Sequence, residues 1–362
     1  MRERIQTLDG LRFLAALGVL WIHTWTKFGN PRFYIGKIDI ANLLAIGGNG
    51  VDLFFVISGF CMYYFYASKT QFSYHDFYRF IVKRWVRLSP AFYGATVVYI
   101  LFKLFVLNYN VNIVPEILTS VFYLNSILAR HNAASHFWTL GVEFQFYFTI
   151  PFLLIYQVKN GFTKVFLYLY AAVSLLGLAS VFIFKAQSDL LTDQLLFRGI
   201  EFAFGILSAR VLLKNIGEVR FRAVWVILFL LVTYCGRVLI SKQVLSLSAS
   251  YYNVFKLLGF GLMSCGFAGI LYLSVTSMGW LNKILGNTLF KMMGKISYSF
   301  YLWHGFIIEI VTKYTFPIFQ YKGIMGPVVS TVIGAIILYP VSLLSYNYLE
   351  KPFLSIGNLT TK

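Results

Sequence analysis

The sequence predicts an all-α, polytopic integral membrane protein with about ten transmembrane helices and with both termini in the cytoplasm. Hydrophobic residues make up 59% of the 362 positions, charged residues make up only 12%, and the mean hydropathy is +0.72. Soluble domains contain about 25% charged residues, so this composition excludes an ordinary soluble protein. Long apolar runs recur along the chain, and the first one is too long for a signal peptide and lacks a small-residue cleavage site behind it.

Ten apolar segments define the predicted helices. They are residues 8–28, 48–67, 90–107, 137–157, 163–184, 194–213, 223–240, 252–275, 293–314 and 326–348. Residues 115–128 are apolar but too short to span a bilayer, so we predict a re-entrant or interfacial segment there. We expect residues 1–350 to form a ten-helix membrane core and residues 351–362 to form a short cytoplasmic tail, without an additional soluble domain.

The net charge of +18 fits either a nucleic-acid-binding protein or a membrane protein with basic loops. The sequence is too apolar for a basic soluble domain, so we expect no nucleic-acid partner and assign the charge to loops at the membrane surface. Lys and Arg are more frequent in the segments that lie inside when the N-terminus is cytoplasmic. Residues 80–89, a predicted cytoplasmic loop, contain Lys83, Arg84 and Arg87 and no acid.

The first predicted helix contains two ionisable groups, Arg12 and His23. They are 11 residues apart, which is three turns plus about 20°, so they share a face and are separated by about 16 Å along the axis. Ionisable groups within a membrane span are functional hypotheses by default. The alternative is an arginine that extends to the headgroups and a histidine that bonds a neighbouring helix. Arg12 and His23 together suit a long ligand with an anionic group at one end and a reactive group at the other.

Threading the spans in this orientation places other polar residues by depth. Near the outer side we expect His23, Asp52, Glu143, Arg198 and Glu201, and near the cytoplasmic side Arg12, Lys83, Arg84 and Arg87. The buried aromatic setting of Glu143 favours a functional role. Simpler alternatives are a first-turn acid favoured by the helix dipole at Asp52 and a structural i, i+3 pair for Arg198 and Glu201. The cations of residues 80–89 could instead bind lipid phosphates.

The remaining histidines and the cysteines give weaker signals. His304 falls near the membrane midplane, where a hydrogen-bonded packing histidine is the favoured interpretation, and His136 is a lesser candidate for the outer site. The three cysteines lie singly in apolar segments without metal or redox spacing. The sequence contains no metal-binding motif and no Walker-type phosphate loop, so we expect no metal and exclude an ATP-driven pump.

Six short motifs occur in order along the chain. They are Arg12 and His23 with ten residues between them, FFVISGF at 54–60, RWVRLSP at 84–90, WTLGVEFQFY at 138–147, SYSFYLWH at 297–304 and EKP at 350–352. Together they make the sequence resemble the acyltransferase-3 family of integral membrane O-acyltransferases, which includes bacterial surface-polysaccharide O-acetyltransferases. One departure is Phe144, which stands where the family usually has a second acid after the position of Glu143.

The resemblance implies transfer of an acetyl group from cytoplasmic acyl-CoA, usually acetyl-CoA, to a hydroxyl of an extracytoplasmic surface glycan or lipid-linked sugar. The implied catalytic residues are His23, Glu143 and Asp52, and the implied donor-binding residues are Arg12, Arg84 and Arg87 with neighbouring Lys83. Substrate or structural support is expected from Ser58, Arg198, Glu201, Tyr301 and His304. Longer family members add an exported hydrolase-like domain, so this chain is expected to complete the transfer itself or with a partner.

His23 is expected to act as the general base that takes the proton of the acceptor hydroxyl. Glu143 is preferred over Asp52 as the carboxylate that orients its ring. The rival mechanism makes His23 a nucleophile that forms an acetyl-imidazole, and the rival function is a transporter or flippase-like carrier with these groups as a relay. Expected partners are acyl-CoA, the glycan, membrane lipids, and glycan-assembly proteins or a second copy. The expected location is the bacterial cytoplasmic (inner) membrane.

Overall fold

The computed structural model describes residues 5–354 except 37, 67–72, 109–112, 215–218, 220–221, 242–243, 245–250 and 277–278, and between 162 and 192 only six isolated positions. Within these residues the chain consists of helices, turns and one two-stranded antiparallel hairpin, Tyr34–Ile35 with Ile38–Asp39. The predicted class, an all-α polytopic membrane protein, is confirmed.

The α-helices of the described residues are numbered in chain order. They are α1 (Thr7–Lys27), α2 (Ala41–Leu44), α3 (Gly50–Tyr66), α4 (Tyr74–Phe105), α5 (Ile113–Val121), α6 (Trp138–Asn160), α7 (Leu195–Leu213), α8 (Arg222–Leu239), α9 (Tyr252–Thr276), α10 (Trp280–Leu285), α11 (Thr288–Lys295), α12 (Ser297–Phe319) and α13 (Met325–Ser345). Short 3₁₀ turns occupy Ala45–Asn49, Ala129–His131 and Ser135–Phe137, and a π turn at Tyr346–Glu350 follows α13.

Six described helical segments are long and apolar enough to cross a membrane, and each overlaps a predicted span. They are Ala45–Tyr66, Tyr74–Phe105, Ser135–Ile155, Arg222–Leu239, Asn253–Thr276 and Met325–Leu354. The spans predicted at 8–28, 194–213 and 293–314 correspond to α1, α7 and α12, although α12 begins at residue 297. The span predicted at 163–184 lies almost entirely outside the described residues. The count of ten and the cytoplasmic termini stay predictions.

Helix α4 differs from the sequence prediction. Residues 80–89 were expected to form a loop and Pro90 to begin a span, but both lie inside one helix of 32 residues. A capping box at Ser73 and Asp76 starts this helix seven residues before the predicted loop. At 1.5 Å per residue the helix is about 48 Å long, well beyond a hydrocarbon core of about 30 Å. Its basic stretch can therefore be helical without lying wholly in lipid.

The chain divides into two compact units. The first comprises Met1–Ile22, Arg32–Thr70 and Phe152–Lys295, and the second comprises His23–Pro31, Gln71–Pro151 and Ile296–Lys362. Each unit has a helical core of its own.

In the first unit, α3 and α7 pack at very short range. A Cβ atom added at Gly59 would collide with the backbone of Phe202, and one at Gly205 would collide with the carbonyl of Val56. Small residues at helix interfaces are typical of membrane bundles, where van der Waals packing drives association. Asp52 near the start of α3 contacts Arg198 near the start of α7, and Phe60 further along α3 faces Gly205 further along α7, so the two helices run parallel. This arrangement brings their N-terminal ends together.

In the second unit, α12 and α13 form an antiparallel pair. Hydroxyl groups bond at both ends of the pair, Thr315 with Ser330 and Ser299 with Ser345, each at 2.7 Å. The Ser299 hydroxyl also bonds the buried carboxylate of Glu350 in the π turn. These bonds satisfy polar groups inside the helix pair, where no lipid atom could do so.

Candidate active site

Helix α1 contains both Arg12 and His23, as the sequence predicted. Arg12 belongs to the first unit, where its Nη1 lies 3.2 Å from Asp9 Oδ1 and its Nη2 lies 3.2 Å from Cys61 Sγ on α3. The i, i+3 spacing on one helix turn explains the pairing with Asp9. The Arg12 side chain keeps about a quarter of its surface exposed, 26%, so its guanidinium remains accessible to a ligand.

A buried acid–arginine cluster, made of Asp52, Arg198 and Glu201, joins the ends of α3 and α7. Arg198 Nη1 lies 2.9 Å from Asp52 Oδ1 and 2.5 Å from Glu201 Oε1. The second oxygen of Asp52 accepts a hydrogen bond from Asn49 Nδ2 at 3.0 Å. The guanidinium also lies over the ring of Phe260, 3.9 Å from its centroid. The structure therefore brings together three of the predicted polar residues.

Burial determines what this acid–arginine cluster can do. The Arg198, Asp52 and Glu201 side chains are 8%, 4% and 0% exposed. Removing one partner from a buried ion network leaves an uncompensated charge and costs about 3–5 kcal/mol. Both carboxylates are bound to the same guanidinium, so the arrangement favours the pairing of α3 with α7.

In the second unit, three histidine rings form an imidazole cluster of His23, His136 and His304. The ring centroids of His23 and His304 are 5.0 Å apart, and those of His136 and His304 are 4.3 Å apart. His136 and His304 are buried, with 5% and 1% of their surfaces exposed, and His23 is partly buried. The three residues come from α1, from the turn before α6 and from α12, so only tertiary packing brings them together.

Backbone carbonyls of α12 fix the tautomers of two of these rings. His304 Nδ1 bonds the carbonyl of Tyr301 one turn earlier, and His136 Nε2 lies 3.3 Å from the carbonyl of Leu302. A carbonyl can only accept a hydrogen bond, so each of these nitrogens holds the ring proton when the imidazole is neutral. The other nitrogen of each ring is then an acceptor. For His304 that acceptor, Nε2, is buried and has no partner among the described residues.

Hydroxyl groups surround the imidazole cluster. Tyr301 Oη bonds Thr139 Oγ1 at 2.6 Å and the carbonyl of His136 at 3.0 Å. Tyr99 Oη donates to the Leu302 carbonyl at 3.2 Å and accepts from the Phe306 amide at 2.6 Å. These bonds fix the turn of α12 that holds His304.

Gly305 allows α4 and the turn before α6 to approach α12 at this point. A Cβ atom at this position would lie 2.9 Å from Tyr99 Oη and 3.0 Å from His136 Cε1. Both distances are shorter than ordinary van der Waals contact, so any larger residue would push these side chains away. The absence of a side chain at Gly305 is therefore a geometric requirement of the imidazole cluster.

Glu143 lies on α6, and its carboxylate accepts a hydrogen bond from the hydroxyl of Tyr147 on the next turn of that helix. The ring of Tyr147 in turn lies 5.6 Å from the guanidinium of Arg84. Among the described residues of this unit, the ring next to His23 is that of His304. The structure thus places Glu143 near the basic stretch of α4, and its orientation of His23 stays a prediction.

Lys83, Arg84 and Arg87 lie on helix α4 rather than in the predicted loop. They fall within five residues of that helix, partly buried or exposed, and Arg84 also contacts the ring of Phe80 at 5.3 Å. Ser58 is buried on α3 beside Gly59, in the first unit. Asp52 belongs to that unit too, whereas His23 belongs to the second.

Sequence reasoning missed Tyr99, Thr139 and Tyr147 and gave little weight to His136. The spacing of Tyr301 and His304, at i and i+3 on one helix face, was the available signal that α12 contributes to a site. Across the described part of the chain, no group of three or more His, Cys, Asp and Glu side chains has an arrangement that could hold a metal ion.

Comparison with known proteins places this geometry in context. A family model described as an acyltransferase domain matches residues 5–347. "Putative O-acetyltransferase SACOL0978" of Staphylococcus aureus (strain COL) is 27% identical over 96% of this chain and 57% of its own length. "Peptidoglycan O-acetyltransferase OatA" of Listeria monocytogenes is 26% identical over 86% of this chain and 50% of its own length.

"O-acetyltransferase OatA" of Staphylococcus aureus (strain NCTC 8325 / PS 47) is 23% identical over 95% of this chain and 56% of its own length. The chain thus spans about half the length of the curated relatives it matches. No solved structure matches it. Since the acyltransferase model matches nearly the whole chain, and the six motifs lie within or beside the matched residues, the protein belongs to the acyltransferase-3 family of membrane proteins.

Proposed function

We propose that this protein is a membrane O-acetyltransferase that moves an acetyl group from cytoplasmic acetyl-CoA to a hydroxyl of an extracytoplasmic glycan or lipid-linked sugar. The observation that supports this most directly is His23 at the C-terminal part of α1, in the imidazole cluster with the buried rings of His136 and His304, and with Arg12 three turns earlier on the same helix. Membership of the acyltransferase family supports the reaction class. The peptidoglycan named for one relative makes cell-wall glycan the first acceptor to test.

The proposed chemistry begins with proton removal by His23. A sugar hydroxyl is a weak nucleophile near neutral pH, and imidazole is the side chain best matched to remove its proton at that pH. As the proton passes to His23, the hydroxyl oxygen forms a bond with the thioester carbonyl carbon. When the carbon–sulfur bond breaks, the same proton passes to the leaving thiolate, which departs as free CoA. The products are the acetyl ester and the thiol, and His23 returns to its neutral form.

The donor would be held by cations. Two cationic groups are each candidates for contact with the phosphates of CoA, Arg12 in the first unit and, in the second unit, the basic stretch of α4 with Lys83, Arg84 and Arg87, since arginine forks match phosphate oxygens. The Glu143–Tyr147 hydrogen bond beside Arg84 supports a role for Glu143 in orienting this cation. Because arginine is fully charged at all relevant pH values, these contacts are available throughout the working range.

We propose direct transfer, with donor and acceptor bound together, in preference to an acetyl-imidazole on His23. Direct transfer requires both substrates for any acetyl movement, whereas the covalent route gives ping-pong kinetics and labelled enzyme without acceptor. Incubation with radiolabelled acetyl-CoA alone distinguishes them. Retention of label on the denatured protein would support the covalent route.

The function itself is tested with purified protein in lipid nanodiscs. The protein is incubated with labelled acetyl-CoA and peptidoglycan fragments or other soluble glycans, and ester-linked acetyl is measured by mass spectrometry. We expect acetylated glycan with the native protein and with His131→Leu, a control at an exposed histidine, and none with His23→Ala. Failure of every glycan tested, together with failure to bind acetyl-CoA, would contradict the proposal.

The rival function, a transporter or flippase-like carrier, draws support from the buried acid–arginine cluster, since ionisable groups inside membranes often form ion or proton relays. Binding of acetyl-CoA distinguishes the two, because a carrier has no need of a thioester donor. The associated proposals are a location in the bacterial cytoplasmic membrane, cytoplasmic termini and ten spans. Cysteine substituted at Lys362 should react with a membrane-impermeant label only after the cells are opened.

A further inference from the structure

The second ring nitrogen of His304, Nε2, is buried without a described hydrogen-bond partner. Its Nδ1 bonds the Tyr301 carbonyl, so Nε2 has a lone pair that can only accept. This nitrogen is buried, and no described residue donates to it. A buried acceptor left without a donor destabilises the folded state. Such a group in the middle of a well-bonded turn is expected to have a partner in the working state.

His136 is the nearest ring, but it cannot be that partner. Its Nε2 donates to the Leu302 carbonyl at 3.3 Å, so its Nδ1 is an acceptor like His304 Nε2. Two acceptors do not form a hydrogen bond with each other. The 4.3 Å separation of these two rings is therefore a packing contact that supports His304 from one side.

His23, in turn, has no described hydrogen-bond partner that would fix the tautomer of its ring. No hydrogen bond to a described residue fixes its ring, and the ring adjacent to it is that of His304, 5.0 Å between centroids. A general base works only if the nitrogen that faces the substrate lacks a proton, so its tautomer must be fixed by a partner on the other nitrogen. Lys27, one turn later on α1, cannot accept a hydrogen bond, and it pairs with Glu309.

We propose that His304 is the positioning residue for His23: its buried Nε2 accepts a hydrogen bond from one ring nitrogen of His23 and leaves the other free to remove the proton of the sugar hydroxyl. This inference rests on the proposed function. The bond satisfies both the unpartnered acceptor and the unanchored ring. It gives His304 the role that the sequence prediction assigned to a carboxylate.

A neutral imidazole in this position has a physical advantage over a carboxylate. Burying an ionised carboxylate away from water is costly unless a cation is paired with it, and the ring described beside His23 is that of His304. An imidazole acceptor fixes the tautomer at much lower desolvation cost. It also stabilises the His23 imidazolium less strongly than a carboxylate would, so return of the proton to the leaving thiolate remains easy.

Two isosteric variants of His304 separate positioning from packing. In asparagine the terminal atoms occupy the place of Nδ1, so His304→Asn keeps the contact with Tyr301 and loses the acceptor toward His23. In glutamine they reach the place of Nε2, so His304→Gln keeps an acceptor toward His23. We expect kcat for acetyl transfer to fall on the order of 10-fold or more in His304→Asn, to recover most of the native value in His304→Gln, and KM for acetyl-CoA to stay unchanged in both.

A spectroscopic measurement keeps the test valid even if activity is lost for another reason. The chain has five histidines, so protein labelled with ¹⁵N in its imidazoles gives few ring signals, and those of His23 are assigned by their loss in His23→Ala. We expect one tautomer of His23 in the native protein and in His304→Gln, and a mixture in His304→Asn. Acetyl-CoA binding and thermal unfolding show that each variant is folded.

The outcomes are distinct. Native kcat in His304→Asn, equal loss in both variants, or an unchanged His23 tautomer in His304→Asn would each overturn the positioning role. Native transfer in His23→Ala would instead overturn the proposed base itself, and with it the function of the pair. Reduced kcat in His304→Asn with recovery in His304→Gln and a mixed His23 tautomer in His304→Asn supports the proposal.

Discussion

The acid–arginine cluster and the imidazole cluster both bury polar groups, but the groups are satisfied in different ways. Asp52, Arg198 and Glu201 are ionisable groups that bind one another through close contacts of 2.9 and 2.5 Å. The imidazole cluster is held by hydrogen bonds to backbone carbonyls, and the Nε2 acceptor of His304 is left without a described donor. The ion pairs of the first arrangement favour stability, although Glu201 Oε2 is also buried without a described partner. In the imidazole cluster, a buried acceptor without a described donor lies next to the partly exposed ring of His23, the proposed base. This arrangement favours catalysis.

The strongest test of this comparison is His23→Ala. We expect the transfer rate to fall about 10²- to 10⁴-fold, since that is the typical contribution of a general base. The free energy of unfolding should change little, because the ring is only partly buried and makes no described hydrogen bond. Initial rates and thermal unfolding of the same preparation measure both effects. Near-native transfer would contradict the catalytic assignment.

The converse test is Arg198→Met in the acid–arginine cluster. Two buried carboxylates would lose their cation, and we expect the free energy of unfolding to fall by about 3–5 kcal/mol. Lys27→Met is the matched control, since the Lys27–Glu309 pair is 43% and 42% exposed and exposed pairs contribute about 0–1 kcal/mol. Chemical unfolding in detergent measures both variants. Equal stability loss in the two would show that burial does not distinguish these ion pairs.

The donor side is tested by Arg84→Ala and Arg87→Ala. Each substitution should weaken acetyl-CoA binding by about 1.5–3 kcal/mol, the value of one charge-assisted hydrogen bond, with little effect on acceptor binding. Arg79→Ala, one turn earlier on α4, is the control and should change the affinity much less. Calorimetric titration with CoA provides the measurement. Unchanged affinity for CoA in both variants would indicate that these residues bind lipid phosphates instead.

The smallest expected effect comes from Gly305→Ala. The added methyl group would press on Tyr99 and His136, and overpacking of this kind costs roughly 1–3 kcal/mol. Gly94→Ala on α4 is the control, because its added methyl meets only the flexible end of Leu349 at 3.0 Å and alanine favours a helix. Thermal unfolding compares the two. A destabilised Gly94→Ala with a native-like Gly305→Ala would contradict the packing argument.

Much of the fold could be predicted because hydropathy is a local property. Six apolar segments correspond to long apolar helices, and α1 and α7 have nearly the predicted bounds. The i, i+3 pairing of Arg198 with Glu201 also follows from helix geometry alone. The loop predicted at residues 80–89 was wrong, because Lys and Arg are good helix formers and a capping box before them starts a helix that continues through Pro90.

The arrangement of the site could be predicted only in part. Arg12 and His23 share one helix, so their relation follows from the sequence. The contact of His23 with His304 joins residues 281 positions apart and depends on tertiary packing. Depth does not specify rotation about the helix axis, so the sequence could not show that Glu143 bonds Tyr147 on its own helix, and its contact with His23 stays a prediction.

The π turn at Tyr346–Glu350 has a consequence for how this sequence tolerates insertions and deletions. A π turn accommodates one residue more than an α-helical turn, and the helix continues beyond it to Leu354. Deleting one residue within the turn would let it close as an ordinary α-helical turn, so the residues after it would keep nearly the same facing, whereas a deletion in the regular part of α13 would rotate everything after it by about 100°. A deletion in α13 would therefore take Glu350 away from the Ser299 hydroxyl that it now bonds, so chain length before the π turn is a constraint separate from residue identity.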